Sequence, residues 1–255
     1  NDLLDNHKSE DTRLRALWAL QITNNISPEK LIDLLIDRDQ YIRAWAIQFL
    51  VEDGQPSAKA VQKMTIMAKN ETSAVVRRYL AGALQRINEA DRWAIAESLV
   101  RFKEDADDPN IPLMLWFGIE PIITKQPEKA LILAKQSSIP SIIQKIGRRL
   151  VDGNQQEKLI AELSKKSNIQ SDLLNGMLAG LEGNIDIKEP TNWENVYKIL
   201  QTEPQLSSLA DAIAQKFGNA EMAKKMLTII ANSKAKLEDK KNAKPGRTAK
   251  SYITR

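Results

Sequence analysis

The feature that most constrains the fold of this chain is an apolar segment that recurs along its 255 residues. Three copies nearly superimpose: Leu14–Ala19 (LRALWA), Ile42–Ile47 (IRAWAI) and Val76–Ala81 (VRRYLA). The same apolar frame continues from four later starts, Ile111, Ile142, Leu173 and Leu206. A repeat of this length is one supersecondary unit that cannot bury its apolar face alone, so neighbouring units must stack into a continuous core.

Each copy has the periodicity of a helix. A further apolar residue follows eight positions after each start, for example Leu50 after Ile42 and Leu84 after Val76. Positions i, i+4 and i+8 lie on one face of a helix. A second helical stretch precedes most copies, and Ser27 followed by Pro28 is typical of an N-cap with proline at the first helical position. The sequence therefore predicts about seven helical hairpins.

The residues favour the HEAT type of hairpin over the tetratricopeptide type. In two copies the second helix begins with Asp and carries Arg four residues later, as Asp11 with Arg15 and Asp39 with Arg43. Such an Asp accepts hydrogen bonds from free N–H groups of the helix start, and the Arg pairs with that carboxylate or with the Asp of the next repeat. We expect these four residues and Arg77 to be structural. The predicted fold class is all-α, an α-α superhelix of HEAT repeats.

Charge divides the chain into a body and a tail. The formal net charge is +4, but residues 233–255 hold eight Lys and Arg against two acids, so this tail carries +6 and the other 232 residues carry −2. We expect a repeat domain over residues 1–232 and a basic C-terminal tail over 233–255. A body of net negative charge lacks the broad basic face that binds phosphates, so nucleic acid is not an expected partner.

Composition argues against an enzyme. There is no cysteine and only one histidine, His7, which excludes disulfides, thiolate nucleophiles and Cys/His zinc sites. Phosphate-binding glycine motifs are also missing. We expect no catalytic residue, no cofactor and no metal. No apolar run reaches the roughly 18 residues that a membrane span needs.

Two groups of residues are candidates for docking a partner protein. Three residues after the repeat start comes a column that includes Trp45, Tyr79 and Met114, flanked by Arg78. Large aromatics and Arg are the residue types that anchor interfaces. The alternative is that these side chains fill gaps between neighbouring hairpins.

The second group is an acidic loop, made of Glu104, Asp105, Asp107 and Asp108. Three interpretations are open: a loop in which Asp108 caps the next helix, a docking surface, or a cation site. The EF-hand order of alternating acids with a central Gly is absent, which weakens the third.

Several segments of the chain resemble one family. The five segments are Leu14–Leu20 (LRALWAL), Tyr41–Leu50 (YIRAWAIQFL), Val76–Ile87 (VRRYLAGALQRI), Asp91–Ala96 (DRWAIA) and Glu104–Pro121 (EDADDPNIPLMLWFGIEP). In this order they resemble the HEAT-repeat region of multidomain proteins called membrane-bound dehydrogenases or PVC-type haem-binding CxxCH proteins. In that family a propeller-type dehydrogenase module precedes the HEAT region and a cytochrome c module follows it.

The resemblance implies an exported parent protein, periplasmic or extracellular, in which this chain is a spacer between the two modules. None of the family's haem ligands has a matching position here. The chain begins at Asn1 and not at Met, and we expect it to be a piece of a longer protein. The expected function is a non-catalytic scaffold that presents a docking surface to these modules. Two alternatives remain: a nucleic-acid-binding HEAT protein similar to alkylpurine glycosylases, and a HEAT enzyme similar to bilin lyases.

Overall fold

The chain was analysed as a computed structural model, which describes residues 2–183, 187–218 and 228. Within these residues all regular structure is helical. The α-helices are α1 (Asp2–Asn6), α2 (Glu10–Ile22), α3 (Pro28–Leu34), α4 (Gln40–Leu50), α5 (Ala58–Ala68), α6 (Ala74–Ala83), α7 (Glu89–Leu99), α8 (Ile111–Ile123), α9 (Pro127–Gln136), α10 (Pro140–Asp152), α11 (Gln156–Leu163), α12 (Gln170–Leu181), α13 (Trp193–Gln201) and α14 (Pro204–Lys216).

The helices alternate as the repeat predicts. All seven repeat starts fall inside the even-numbered helices, and each even-numbered helix is preceded by an odd-numbered partner. The fold class is all-α, a helical-repeat solenoid of the HEAT type. The chain divides into two compact units, Asn1–Ile142 and Ile143–Arg255. The basic tail predicted over residues 233–255 lies outside the described residues.

The first unit is built in two layers. Helices α2, α4, α6 and α8 contact one another in succession and form the inner layer, and α3, α5, α7 and α9 do the same in the outer layer. Buried Ile, Leu, Val and Ala fill the space between the layers, among them Ile42, Val76 and Ile111 at the repeat starts.

The second unit brings two of its helices into backbone contact at glycines. Its helix contacts follow the same order, α11 with α13, α12 with α14, and each hairpin internally. Gly147 and Gly176 bring α10 and α12 together, because a Cβ on Gly176 would overlap the backbone oxygen of Gln144. The side chain of Gln144 also donates a hydrogen bond of 2.8 Å to Asp172 on α12. Small residues and one polar contact therefore join these two helices.

Helix starts are fixed by short polar side chains. Ser27 accepts a hydrogen bond of 3.2 Å from the backbone N–H of Lys30, and Pro28 opens α3, as the sequence predicts. Asp39 caps α4 by accepting from Tyr41 N at 2.8 Å, and Ser9 and Ser73 cap α2 and α6. Each cap satisfies a backbone donor that the helix leaves free.

Three arginines of the inner layer join successive hairpins of the first unit, and we call this set the arginine ladder. Its ion pairs are Arg13 with Asp37, Arg43 with Glu71 and Arg77 with Asp105. In every pair the arginine lies four residues after the N-cap of its helix and binds a carboxylate of the next hairpin. The ladder therefore fixes the register of four hairpins.

The ion pairs of the arginine ladder are bidentate and largely buried. Arg77 donates from Nε and Nη2 to the two carboxylate oxygens of Asp105, each at 2.6 Å, and Arg43 binds both oxygens of Glu71 at 3.1 and 2.7 Å. Planar forks of this kind are the strongest ionic hydrogen bonds in proteins. The guanidinium of Arg77 also stacks on the ring of Phe102, 4.4 Å from its centroid.

Backbone carbonyls connect one rung of the ladder to the next. Arg43 Nη1 donates to the carbonyl of Asp37 at 2.9 Å, and Asp37 holds Arg13 through its carboxylate. Arg77 Nη1 likewise donates to the carbonyl of Glu71 at 3.0 Å, and Glu71 holds Arg43. The hydrogen bonds to Asp37 and the charge of Asp37 outweigh the effect of burial and raise the pKa of Arg13, so its guanidinium keeps its charge.

The structure corrects the prediction for the first repeat. Ser9 and not Asp11 is the N-cap of α2, and the arginine that pairs is Arg13, whereas Arg15 is exposed. The sequence alignment matched Leu14-Arg15 with Ile42-Arg43, and this set the start of the first repeat two residues too late, because Arg13 is the structural equivalent of Arg43. Position Ile22, expected on the buried face, is 81% exposed for the same reason.

Candidate docking face

The inner helices α4, α6 and α8 carry few charges, whereas the first inner helix, α2, exposes Glu10, Asp11 and Arg15. Helices α4, α6 and α8 contain only four charged residues, Arg43, Arg77, Arg78 and Glu120. The first two belong to the arginine ladder. The outer helices instead present charged side chains to solvent, for example Glu29, Asp33, Lys59, Lys63, Glu128 and Lys129. The two sides of the first unit therefore differ in their chemistry.

Large apolar side chains occupy the inner side in place of charges. We call this set the aromatic face: Trp18, Tyr41, Trp45, Phe49, Tyr79, Met114 and Phe117. Tyr41 is 47% exposed and Phe117 56% exposed, and the other members are half-buried. An exposed apolar patch on a soluble protein marks a site of interaction more often than a random surface does.

Ring contacts make the aromatic face continuous across three helices. The ring of Trp45 lies 5.1 Å from Trp18 in an edge-on arrangement, 5.3 Å from Phe49 and 6.1 Å from Tyr79, measured between centroids. Such tilted and edge-on contacts are favourable and hold the rings in place. Trp45 is therefore the centre of the cluster.

Gly82 lets the aromatic face continue onto α8, and Tyr41 extends it along α4. Gly82, one turn after Tyr79, leaves room for the sulfur of Met114, which would lie 3.9 Å from a Cβ at that position. Tyr41 stands four residues before Trp45, on the same side of α4. The face thus runs from α2 to α8.

The structure brings three predicted docking residues together and adds others. Trp45, Tyr79 and Met114 all lie on the aromatic face, and each of them is half-buried. Trp45 contacts rings of both neighbouring inner helices, as the gap-filling interpretation predicts, and it is also partly exposed. The docking interpretation stays a prediction. Leu17, which stands three residues after the predicted start of the first repeat, is fully buried, and Trp18 contacts Trp45 instead. The two-residue shift in the first repeat explains the burial of Leu17, since it aligns Leu17 with Ile47, which is also fully buried.

Phe49, Tyr41 and Phe117 were missed by the sequence argument. They lie four residues after Trp45, four before it, and three after Met114. Their signal was the i, i+3 and i+4 spacing around the predicted column. Extending the column by one turn in each direction would have found them.

The acidic loop divides into two kinds of residue. Asp105, predicted as part of the docking surface, is 1% exposed and is bound on both oxygens by Arg77, so that assignment is wrong. It is a rung of the arginine ladder. Glu104 is exposed and 3.6 Å from Arg77, and Asp107 is exposed.

Asp108 has the capping role that one interpretation of the loop gave it. Its Oδ1 accepts from the backbone N–H groups of Asn110 and Ile111, each at 2.8 Å, at the start of α8. Burial alone would raise the pKa of Asp108, but these backbone donors and the charges of Arg78 and Arg77 outweigh it and lower that pKa.

Arg78 lies close enough to the acidic loop for its charge to lower the pKa of Asp108. It is half-buried, and it makes no hydrogen bond within the described part of the chain. Its neighbour in sequence, Arg77, points into the ladder. Arg78 therefore supplies the one cation of α4, α6 and α8 that the ladder does not use.

Other site types were sought in the described residues. His7 accepts a hydrogen bond from the backbone of Ser9 through Nδ1, at the turn into α2. No group of three or more His, Asp or Glu side chains in residues 2–183 and 187–218 is arranged to hold a metal ion. None of the helices in these ranges is both long and apolar enough to cross a bilayer.

Comparisons with known proteins do not show a family for this chain. No family model matches it, and no curated protein matches it. A crystal structure of an engineered protein is similar at 15% identity, covering 95% of this chain and 77% of that one, with a TM-score of 0.36. So remote a likeness carries no argument about function, and the fold class rests on the helices of this chain.

Proposed function

We propose that this chain is a non-catalytic protein-binding scaffold whose docking site is the aromatic face of the first unit. The observation that carries the proposal is the contrast between the two layers. The inner helices α4, α6 and α8 expose aromatic rings and a methionine, whereas the outer helices expose Lys, Asp and Glu. Aromatic side chains and Met are enriched in protein interfaces, and Trp and Tyr are frequent among hot spots.

The arginine ladder supports this function because it fixes the helices that carry the aromatic face. Buried bidentate ion pairs join α2, α4 and α6 to the next hairpin. They fix the spacing of the helices on which the rings lie. A preorganised surface loses less conformational entropy on binding than a flexible one. The scaffold therefore binds through geometry that is set before the partner arrives.

Cross-linking tests the proposed face directly. A photoreactive benzoylphenylalanine replaces Tyr79 in the full chain, which is then expressed in the cell that makes the protein and irradiated. The matched control carries the same group at Ile66, which is 53% exposed on outer helix α5. We expect a discrete cross-linked adduct from position 79 and none from position 66. Equal labelling from both positions, or none from position 79, contradicts the proposal.

We further propose that the partners are flanking modules of a larger exported protein, periplasmic or extracellular, with propeller-type dehydrogenase and cytochrome c modules. This part rests on the five sequence segments that resemble that family. The sequence on either side of the chain tests it. A run of propeller strands before residue 1 and a C-x-x-C-H segment after residue 255 are expected, and a flanking sequence with neither contradicts this context.

A further inference from the structure

We draw no further inference here: the strongest candidate, the aromatic face of the first unit, is a partly exposed apolar surface that already carries the proposed function, and nothing in the structure shows what covers it.

Discussion

Arg77 of α6 holds Asp105 through two hydrogen bonds of 2.6 Å, and both side chains are 2% exposed. The pair joins α6 to the loop before α8, so it belongs to the stacking of hairpins. A buried pair gives little net stability relative to apolar residues, but removing one partner leaves an uncompensated charge. The four clustered acids of this loop therefore have unequal roles.

The first prediction compares two neighbouring acids. Asp105→Asn removes the buried carboxylate of this pair and leaves Arg77 with the exposed Glu104, 3.6 Å away, as its ion-pair partner. We expect it to lower the free energy of unfolding by about 3 kcal/mol. Asp107→Asn changes an exposed carboxylate and should stay within about 0.5 kcal/mol of wild type. Urea denaturation of the full chain measures both. Equal effects of the two substitutions would show that Asp105 is not a buried partner.

The second prediction concerns the register of the first repeat. Arg13→Ala removes the partner of Asp37, and its side chain is 4% exposed, so we expect a loss of about 3 kcal/mol. Arg15→Ala removes an exposed side chain and should cost less than about 0.5 kcal/mol. Thermal unfolding of the two variants compares them. A larger loss for Arg15→Ala would restore the register that the apolar pattern predicts.

The third prediction is a pH dependence. Burial alone would raise the pKa of Asp37, but hydrogen bonds from Arg13 and from the backbone of Asp39, with the charge of Arg13, lower it below its ordinary 3.8. Protonation then favours the unfolded chain, so this rung stabilises the fold above pH 3.8 and is lost as the pH falls through the lower folded value.

The free energy of unfolding between pH 2 and pH 5, about the range of the carboxyl titration, checks this. We expect Asp37→Asn to be less stable at neutral pH and to show a shallower decline in acid than wild type. Asp33→Asn, an exposed change on the same hairpin, should keep the wild-type slope. An unchanged slope for Asp37→Asn would contradict the assignment.

The helices and their N-caps could be predicted from the sequence, whereas the arginine that pairs in the first repeat could not. The repeat spacing located all seven second helices, and Ser27-Pro28 and Asp39 located two helix starts, because local hydrogen bonding decides caps. The choice between Arg13 and Arg15 was not local. Both are followed by apolar residues, and only the carboxylate of the next hairpin distinguishes them.

The partners in the ladder were the least predictable part. Glu71 was missed, although it follows Arg43 by 28 residues, as Asp105 follows Arg77. A constant offset between an arginine and a later acid is the signal that would have revealed both. In the first repeat the offset is 24, since that repeat is shorter, so the signal fails there.

The fourth prediction tests close packing in the second unit. A methyl group at Gly176 would overlap the backbone of Gln144, so Gly176→Ala must push α10 and α12 apart, at a cost of about 2–3 kcal/mol. Gly82→Ala, in helix α6, meets only the sulfur of Met114 at 3.9 Å and should gain about 0.5–1 kcal/mol from helix propensity. Differential scanning calorimetry measures both variants. A Gly176→Ala variant as stable as wild type would contradict backbone contact between these helices.

The most direct test of the whole account is hydroxyl-radical footprinting of the free full chain, read by mass spectrometry. Met114 and Met64 form a matched pair, since Met64 is fully buried and Met114 lies on the aromatic face. We predict several-fold faster oxidation of Met114, together with modification of Tyr41 and Phe117, and protection of all three when a partner binds. Equal protection of Met114 and Met64 in the free chain would show that the face is covered already, and the scaffold would have no docking surface there.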